Sequence, residues 1–244
     1  MIVTATAAQL ADLQPRTEAL LRILSQAEVY GTDRPFCRFW IGEGGSVFSL
    51  TDGVVTLHPG EDVKEAALFL EMSPEVHTVR TDGDTALRLA AGWGVEPKTG
   101  TVMRVDKSLL PQGAAEECLP APLYPLLKTV FGESISPFDV WYADVHHRLR
   151  RGAFHATAVK AGDTVVSCAM TVAETTGAVL IGGVATHPDH RGQGLASACV
   201  TALAHRMGEK AVWICPKNEA AEQLYRRLGF APCGEFGIVE KKRG

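Results

Sequence analysis

The chain has 244 residues, of which 46% are hydrophobic and 21% charged, and this is the composition of a globular protein. Residues 1–119 carry 10 basic and 17 acidic side chains, whereas residues 120–244 carry 14 basic and 11 acidic ones. The small positive excess of the second half is far below the basic stripe expected of a nucleic-acid binder. Met1–Leu24 lacks the features of a signal peptide, and no apolar run approaches the roughly 18 residues of a membrane helix. We therefore expect a cytoplasmic protein with neither nucleic acid nor membrane as a partner.

The N-terminal half alternates helical and β-type patterns. Apolar periodicity and turn residues predict a helix at 6–28, β-rich residues at 36–57, a helix at 61–72, a strand at 76–80, a helix at 84–91 and a strand at 100–106. Glycines at 42, 44 and 45 and the pair Asp52-Gly53 interrupt the β-rich stretch, so they predict hairpin turns there.

A proline-rich segment from Cys118 to Pro125 interrupts both helix and strand, and it predicts two domains, 1–118 and 119–244. In the second domain the pattern predicts helices at 123–131, 137–151, 195–207 and 219–228 and strands at 154–160, 164–173, 178–186, 211–215 and 235–240. This order predicts an α/β (α+β) fold with a mixed sheet and helices on its faces.

The two halves also contain a weak repeat. Val54–Pro59 is similar to Val184–Pro188, and each segment precedes a helix, a short strand, a second helix and a Gly-aromatic pair. The first copy has 17 residues from Pro59 to Val76, whereas the second has 24 from Pro188 to Val212. The first copy therefore lacks one glycine-rich loop.

That loop predicts a phosphate site in the second copy. The segment Val184–Ala196 ends a strand, turns through Gly192 and Gly194 and opens a helix. Glycines let successive backbone N–H groups converge, and the helix N-terminus adds partial positive charge. Arg191 adds a full charge. A G-x-G turn is also compatible with an ordinary helix start, but its place after a strand favours anion binding.

A second segment, Asn218–Phe230, follows a short strand. Asn218 is predicted to cap a helix, Tyr225 lies on the same face as the small Ala221, and Gly229 ends the helix. Taken alone, Tyr225 is compatible with a tyrosine of the core.

Together the two segments resemble the Gcn5-related N-acetyltransferase (GNAT) superfamily. Its cofactor signature, Gln or Arg, two residues, Gly, one residue, Gly or Ala, is matched by Arg191-x-x-Gly194-x-Ala196. Its N-x-x-A-x-x-x-Y-x-x-x-G-F pattern is matched by Asn218–Phe230. The resemblance covers residues 120–244, and the N-terminal half resembles a degenerate copy, which implies a tandem acyl-CoA N-acyltransferase fold.

The resemblance implies acetyl-CoA as cosubstrate, an amine as acceptor and no metal. The pantetheine arm would bond to the backbone of Val184 and Ala185, and one of their N–H groups would hold the oxyanion. Tyr225 would protonate the departing thiolate, and Asn218 would hold the cofactor or an ordered water. The pyrophosphate would rest on the N–H groups of Arg191, Gly192, Gln193, Gly194, Leu195 and Ala196.

Attack by a neutral amine requires removal of a proton, yet residues 178–184 lack the carboxylate that family members often carry on this strand. Glu174, at the preceding hairpin, is the first candidate for the base, and a solvated turn residue is its other interpretation. His187 and His190 suit capping or phosphate contact better than proton abstraction, and without a third ligand they do not predict zinc. Further candidates are Asp144, His146 and His147.

The acceptor stays open among an aminoglycoside, a polyamine, an amino acid, a small metabolite amine and a protein N-terminus, and a homodimer is compatible with the sequence. The alternative function is a non-catalytic acyl-CoA-binding or regulatory sensor module, which would need no acid at position 225. A longer acyl group, a hydroxyl acceptor and a nucleotide-binding α/β domain are further alternatives. Residues 1–118 lack both motifs, so they are predicted to shape the acceptor cleft or to be purely structural.

Overall fold

The computed structural model of the chain describes residues 1–241. Their strands are β1 (Ile2–Thr4), β2 (Cys37–Gly42), β3 (Val47–Thr51), β4 (Val54–His58), β5 (Thr78–Asp82), β6 (Lys98–Val105), β7 (Glu116–Glu117), β8 (Ala156–Ala161), β9 (Thr164–Glu174), β10 (Ala178–Thr186), β11 (Ala211–Ile214) and β12 (Phe230–Glu240). The α-helices are α1 (Ala7–Ala11), α2 (Glu18–Tyr30), α3 (Val63–Glu71), α4 (Gly83–Trp93), α5 (Tyr124–Phe131), α6 (Phe138–Arg150), α7 (Leu195–Arg206) and α8 (Glu219–Arg227).

The chain forms two compact units. One contains residues 1–102 and the segment that begins at Pro232, and the other contains Met103–Ala231. In the first unit the strand order is β1-β2-β3-β4-β5-β12, and in the second it is β7-β8-β9-β10-β11-β6. Each unit has one parallel pair, β4 with β5 or β10 with β11. The predicted mixed sheet and the predicted repeat of topology are therefore confirmed.

Each unit completes its sheet with a strand from the other half of the chain. In the first unit, Phe236 to Glu240 of β12 pair antiparallel with β5. In the second unit, residues 103–105 of β6 pair antiparallel with β11. The compact units therefore change at residue 103, whereas the sequence places a boundary at 118. Cys118 lies within the second unit, where its N–H donates to the carbonyl of Ala156 at 3.0 Å. Functional domains 1–118 and 119–244 stay a prediction.

The predicted N-terminal helix at 6–28 is wrong in one respect, because two helices occupy this stretch. Pro15 lies between them, and proline cannot continue a helix as an interior residue. Thr17 then caps α2 by accepting a hydrogen bond from the N–H of Leu20 at 3.2 Å. The short strands β1 and β7 were not predicted. No helix within residues 1–241 has the length and apolar character to cross a membrane.

The sheet of the second unit buries both faces, which we name by their helices. On the α7 face, Val179 and Ile181 of β10 pack with side chains of α7 and α8. On the α5 face, Met170 and Ala185 pack with side chains of α5 and α6. Side chains alternate along a strand, so the even-numbered residues Val212 and Ile214 of β11 lie on the α7 face and the odd-numbered residues lie on the α5 face.

Candidate functional site

β10 and β11 diverge halfway along β10. Their parallel pairing runs from Ala178 opposite Ala211 to Ile181 opposite Ile214. β10 then continues to Thr186, and over this stretch its pairing among the described strands is with β9 alone. Residues 182–186 still pair with β9, but those N–H and C=O groups that point away from β9 are covered by no strand, and we call this stretch the open edge. An open edge can bind an extended molecule as an additional strand.

A β-bulge shapes this open edge. Gly182 lies opposite Met170 and Ala185 lies opposite Cys168, so β10 contains one more residue than β9 between these pairs. Gly183 has a φ of +54°, and a Cβ atom there would lie 2.6 Å from Met170 Cε. Both the φ angle and the contact require glycine at this position. The sequence analysis missed this bulge, although two consecutive glycines within a strand are its usual signal.

The turn after β10 leaves a group of backbone amides without partners. Gly192 and Gly194 have φ angles of +77° and +74°, and the space beside each is open. Gly194 is the N-cap of α7 and offers no side chain to its first turn. Within residues 1–241, no hydrogen bond outside the regular helical pattern is donated by the amides of 192–197. Amides of this kind and the helix dipole form an anion site.

Arg191 departs from the predicted set of amides. Its N–H donates to the carbonyl of Pro188 at 3.3 Å, and its Nε donates to the carbonyl of Thr186 at 3.3 Å. The backbone before it is fixed by His187, whose N–H donates to the carbonyl of Val166 at 2.8 Å. The set of available amides therefore begins at Gly192, and Arg191 adds an exposed positive charge at its border.

Asn218 caps α8 as predicted. Its Oδ1 accepts a hydrogen bond from the N–H of Ala221 at 2.9 Å. Because this bond uses the side-chain oxygen, only the Nδ2 group is left for contact with a cofactor or a water. That contact stays a prediction.

Tyr225 is 5% exposed and lies on the α7 face, in one cluster with Ile214 and Val184. Burial raises the pKa of its phenol to about 12, and the neighbouring Cys215 thiol adds to this rise. Cys215 directly follows Ile214, where the pairing of β10 with β11 ends. The phenol therefore lies near the start of the divergence, and it keeps its proton at neutral pH.

Glu174 has surroundings that differ from both sequence interpretations. It is 4% exposed, and its Oε1 lies 2.6 Å from Lys210 Nζ and 3.5 Å from His155 Nε2. Burial acts to raise the pKa of this carboxyl, but the hydrogen bonds and charges of both partners lower it overall. Glu174 also pairs with Val179, at the opposite end of β10 from the open edge. Its side chain is thus a buried ion-pair partner and not a solvated turn residue, and its role as the base stays a prediction.

The histidines at the turn interact locally. His187 Nδ1 lies 3.4 Å from the N–H of Asp189 and 3.7 Å from its carboxylate, and the rings of His187 and His190 are 5.9 Å apart. This geometry agrees with a capping role. Farther away, His146 stacks on Tyr142 along α6, at a ring distance of 5.4 Å. No group of three metal-ligating side chains occurs within residues 1–241.

The equivalent turn of the first unit has the opposite character. Asp62 caps α3, and its Oδ1 accepts hydrogen bonds from the N–H groups of Lys64 at 2.9 Å and Glu65 at 3.1 Å. The N–H of Glu61 donates to the carbonyl of Gly44 at 2.9 Å. A carboxylate therefore occupies the helix end where an anion would bind, and it would repel a phosphate.

Comparison with known proteins identifies this fold. The family model described as Acetyltransferase (GNAT) family matches residues 121–230. No curated protein matches the chain in sequence. Similar solved structures include a GCN5-related N-acetyltransferase from Kribbella flavida, with 19% identity over 93% of this chain and 98% of that chain and a TM-score of 0.60. Another, from Sphaerobacter thermophilus, has 15% identity over 100% of this chain and 96% of that chain and a TM-score of 0.61.

A tandem GNAT protein from the clavulanic acid biosynthesis pathway is 15% identical over 100% of this chain and 99% of that chain, with a TM-score of 0.61. At these identities the likeness establishes the fold. The chain thus has the acyl-CoA N-acyltransferase fold along its length, and its residues 121–230 form a domain that matches the acetyltransferase (GNAT) family.

Proposed function

We propose that the second unit transfers the acetyl group of acetyl-CoA to a primary amine by direct attack in a ternary complex. The match of residues 121–230 to the GNAT family supports acetyl transfer in general. The observation that carries the specific proposal is the divergence at Ile181 and Ile214, because it leaves an open edge that leads from the buried phenol of Tyr225 to the uncapped amides of 192–197.

The residues along this path suit the parts of acetyl-CoA in order. The amides of 192–197 would bind the pyrophosphate, with Arg191 adding charge at the border. The open edge of β10 would hydrogen-bond the two amide groups of the pantetheine arm, as a strand pairs with its neighbour. The thioester would then lie near the end of β11, within reach of Tyr225.

Two groups of the chain would act on the reacting atoms. The backbone N–H of Val184, which lies in the bulge, would donate a hydrogen bond to the carbonyl oxygen as it becomes negative, whereas Ala185 is paired with Cys168 of β9. Tyr225 donates its phenolic hydrogen to the sulfur as the carbon–sulfur bond breaks. A carbon–nitrogen bond forms in the same exchange, and the proton that the amine loses balances the proton gained by sulfur.

β10 contributes no base to this reaction, since none of its side chains from Ala178 to Thr186 titrates. The amine would therefore enter as its neutral form or lose its proton to water or to one of the candidate bases on α6, Asp144, His146 and His147. This requirement favours amines that are only partly protonated near neutral pH.

The first unit is proposed to bind no acetyl-CoA, because Asp62 already caps the helix end that corresponds to Gly194. It would then have a role other than cofactor binding.

A thiol-release assay with acetyl-CoA across an amine library tests the proposal. We expect wild-type protein to release CoA with at least one amine class, and Tyr225→Phe to bind acetyl-CoA normally while releasing thiol far more slowly. Wild-type protein that binds acetyl-CoA in calorimetry but acetylates no amine would instead support the sensor function.

A further inference from the structure

Trp213 on β11 carries a buried donor that lacks an acceptor. The residue is 6% exposed, and its indole Nε1 has no hydrogen-bond partner within the described chain. A buried donor left without a partner destabilises the fold, so it requires an explanation. An acceptor that a ligand supplies would explain it.

The strand register places this donor on the α5 face. Trp213 pairs with Leu180, whereas its neighbours Val212 and Ile214 point to the α7 face and share a cluster with Tyr225. Tyr225 and Trp213 therefore belong to opposite faces of the sheet. A molecule that approaches the thioester from the face opposite Tyr225 would meet the face that carries Trp213.

The next β10 residue on this face is Gly182, which is the first residue beyond the paired stretch. It has no side chain, and a Cβ atom there would lie 2.7 Å from Val172 Cγ1. Met170, directly opposite Gly182 on β9, is also apolar. Apolar groups therefore line the divergence on this face. Trp213, one residue before the last paired residue Ile214, adds its indole N–H as a polar donor.

Trp213 also lies directly opposite Arg104 of β6, whose side chain is exposed. Residues directly opposite in a sheet share a face, with Cβ atoms about 4.5–5.5 Å apart. A fixed donor and a cation are thus neighbours on one face, and this pair suits an oxygen acceptor, in particular a carboxylate.

The lack of a base on β10 restricts which amines can react, because the acceptor amine must already be neutral. The α-amino group of a peptide has a pKa of about 7.7–8.0, whereas a lysine side chain has one of about 10.4. Near pH 8 about half of a peptide's α-amino group is neutral, but well under one percent of a lysine amine is. A peptide α-amino group can therefore attack without help from a carboxylate, whereas that of a free amino acid, whose own carboxylate raises its pKa, is neutral in a smaller fraction of molecules.

We infer that the acceptor is the α-amino group of an amino acid or a peptide, and that its adjacent carbonyl or carboxylate oxygen accepts a hydrogen bond from Trp213 Nε1. This inference rests on the proposed function and names its substrate class. A free amino acid would gain further from Arg104, whereas a peptide would present only its carbonyl oxygen.

Matched acceptors test the inference. L-alanine, L-leucine and L-phenylalanine are compared with their amides, with tripeptides that begin with the same residues, and with ethylamine, isopentylamine and 2-phenylethylamine, which lack the oxygen. We expect kcat/KM, expressed per concentration of neutral amine, to be at least tenfold higher for an oxygen-bearing member than for its bare amine. Trp213→Phe should abolish this preference by raising KM for the acceptor, while KM for acetyl-CoA stays the same.

Trp141→Phe is the matched control, because Trp141 is a buried tryptophan of the α5 face whose indole is not among the unpartnered groups. It should keep the preference. Arg104→Gln distinguishes a free amino acid from a peptide as the acceptor. It should weaken acetylation of free amino acids and leave that of peptides unchanged.

A second readout uses wild-type protein and needs no stable variant. The chain has four tryptophans, so the indole N–H region of a 15N spectrum is simple to assign, with Trp213→Phe or selective labelling as the reference. Adding the best amino acid or peptide in the presence of CoA should move the Trp213 signal, and the bare amine should not.

Two results overturn the inference while the proposed function stands. One is an equal or higher kcat/KM for the bare amines. The other is a Trp213 signal that does not move when an oxygen-bearing acceptor is added, together with an acceptor preference that Trp213→Phe leaves unchanged. If the wild type acetylates no amine at all, the proposed function fails first and the inference falls with it.

Discussion

Ile181 and Ile214 form the last pair of the parallel ladder between β10 and β11. Both side chains are 1% exposed, and both pack on the α7 face with Tyr225. The pair holds the two strands together up to one point, and beyond it β10 runs on without a neighbour on that side. The proposed acetyl transfer depends on this geometry, because the open edge begins where the phenol lies.

Replacing Tyr225 with phenylalanine tests the acid. We expect kcat to fall about 100-fold or more, which is the usual range for a positioned proton donor. KM for acetyl-CoA should change little, since the phenol donates to sulfur mainly as the carbon–sulfur bond breaks. Steady-state kinetics with thiol detection measure both values. An unchanged kcat would show that sulfur departs without help from this residue.

The pH dependence of kcat follows from the raised pKa of Tyr225. The phenol acts in its protonated form, and its pKa is raised to about 12, so it stays protonated as the pH rises past the ordinary tyrosine value. We expect kcat to rise with pH as the amine is deprotonated and then to hold level up to about pH 10.5. A falling limb between pH 9 and 10 that Tyr225→Phe removes would contradict this.

Glu174→Gln separates an ion-pair role from a base. Removing one partner of a fully buried pair costs about 3–5 kcal/mol. Because the Lys210 and His155 side chains are 28% and 33% exposed, we expect a smaller loss in the free energy of unfolding, about 1–3 kcal/mol. The pKa of Glu174 is lowered in the folded protein, so its stabilising effect is present above the unfolded value and is lost as pH falls through the folded value. Denaturant titrations at pH 7 should therefore show the loss, and titrations well below pH 4.5 should not.

The same variant reports on catalysis. At a temperature where the Glu174→Gln protein is fully folded, we expect kcat/KM per folded molecule to match that of the wild type. A loss of 100-fold or more with the fold intact would make Glu174 the base after all. Glu222→Gln, which removes the partner of Arg226 on the surface of α8, is a control for loss of a carboxylate.

Much of this site can be predicted from local sequence. The cap at Asn218 and the glycine turn before α7 depend on residues within a few positions of each other, so their spacing predicts them. Pro15 also acts locally, yet the periodic apolar residues on both sides of it favoured a single helix over α1 and α2.

The features that the sequence did not predict depend on distant partners. Glu174 is fixed by Lys210, which is 36 residues away, and no local pattern connects them. The pairing of β6 with β11 and of β12 with β5 joins opposite halves of the chain. Strand pairing of this kind is decided by tertiary packing, so a boundary inferred from prolines alone falls at a different place.

The most direct test of the central claim is calorimetric titration of acetyl-CoA into the full chain with Asp or Asn at position 194. Asp and Asn both tolerate positive φ, so Gly194→Asp and Gly194→Asn differ mainly in charge. Gly194→Asp places a carboxylate at the N-terminus of α7, as Asp62 does at the N-terminus of α3. We predict one binding site per wild-type chain, retained in part by Gly194→Asn and weakened at least 100-fold by Gly194→Asp. Two sites per chain, or equal affinity of the two variants, would contradict anion binding at the N-terminus of α7.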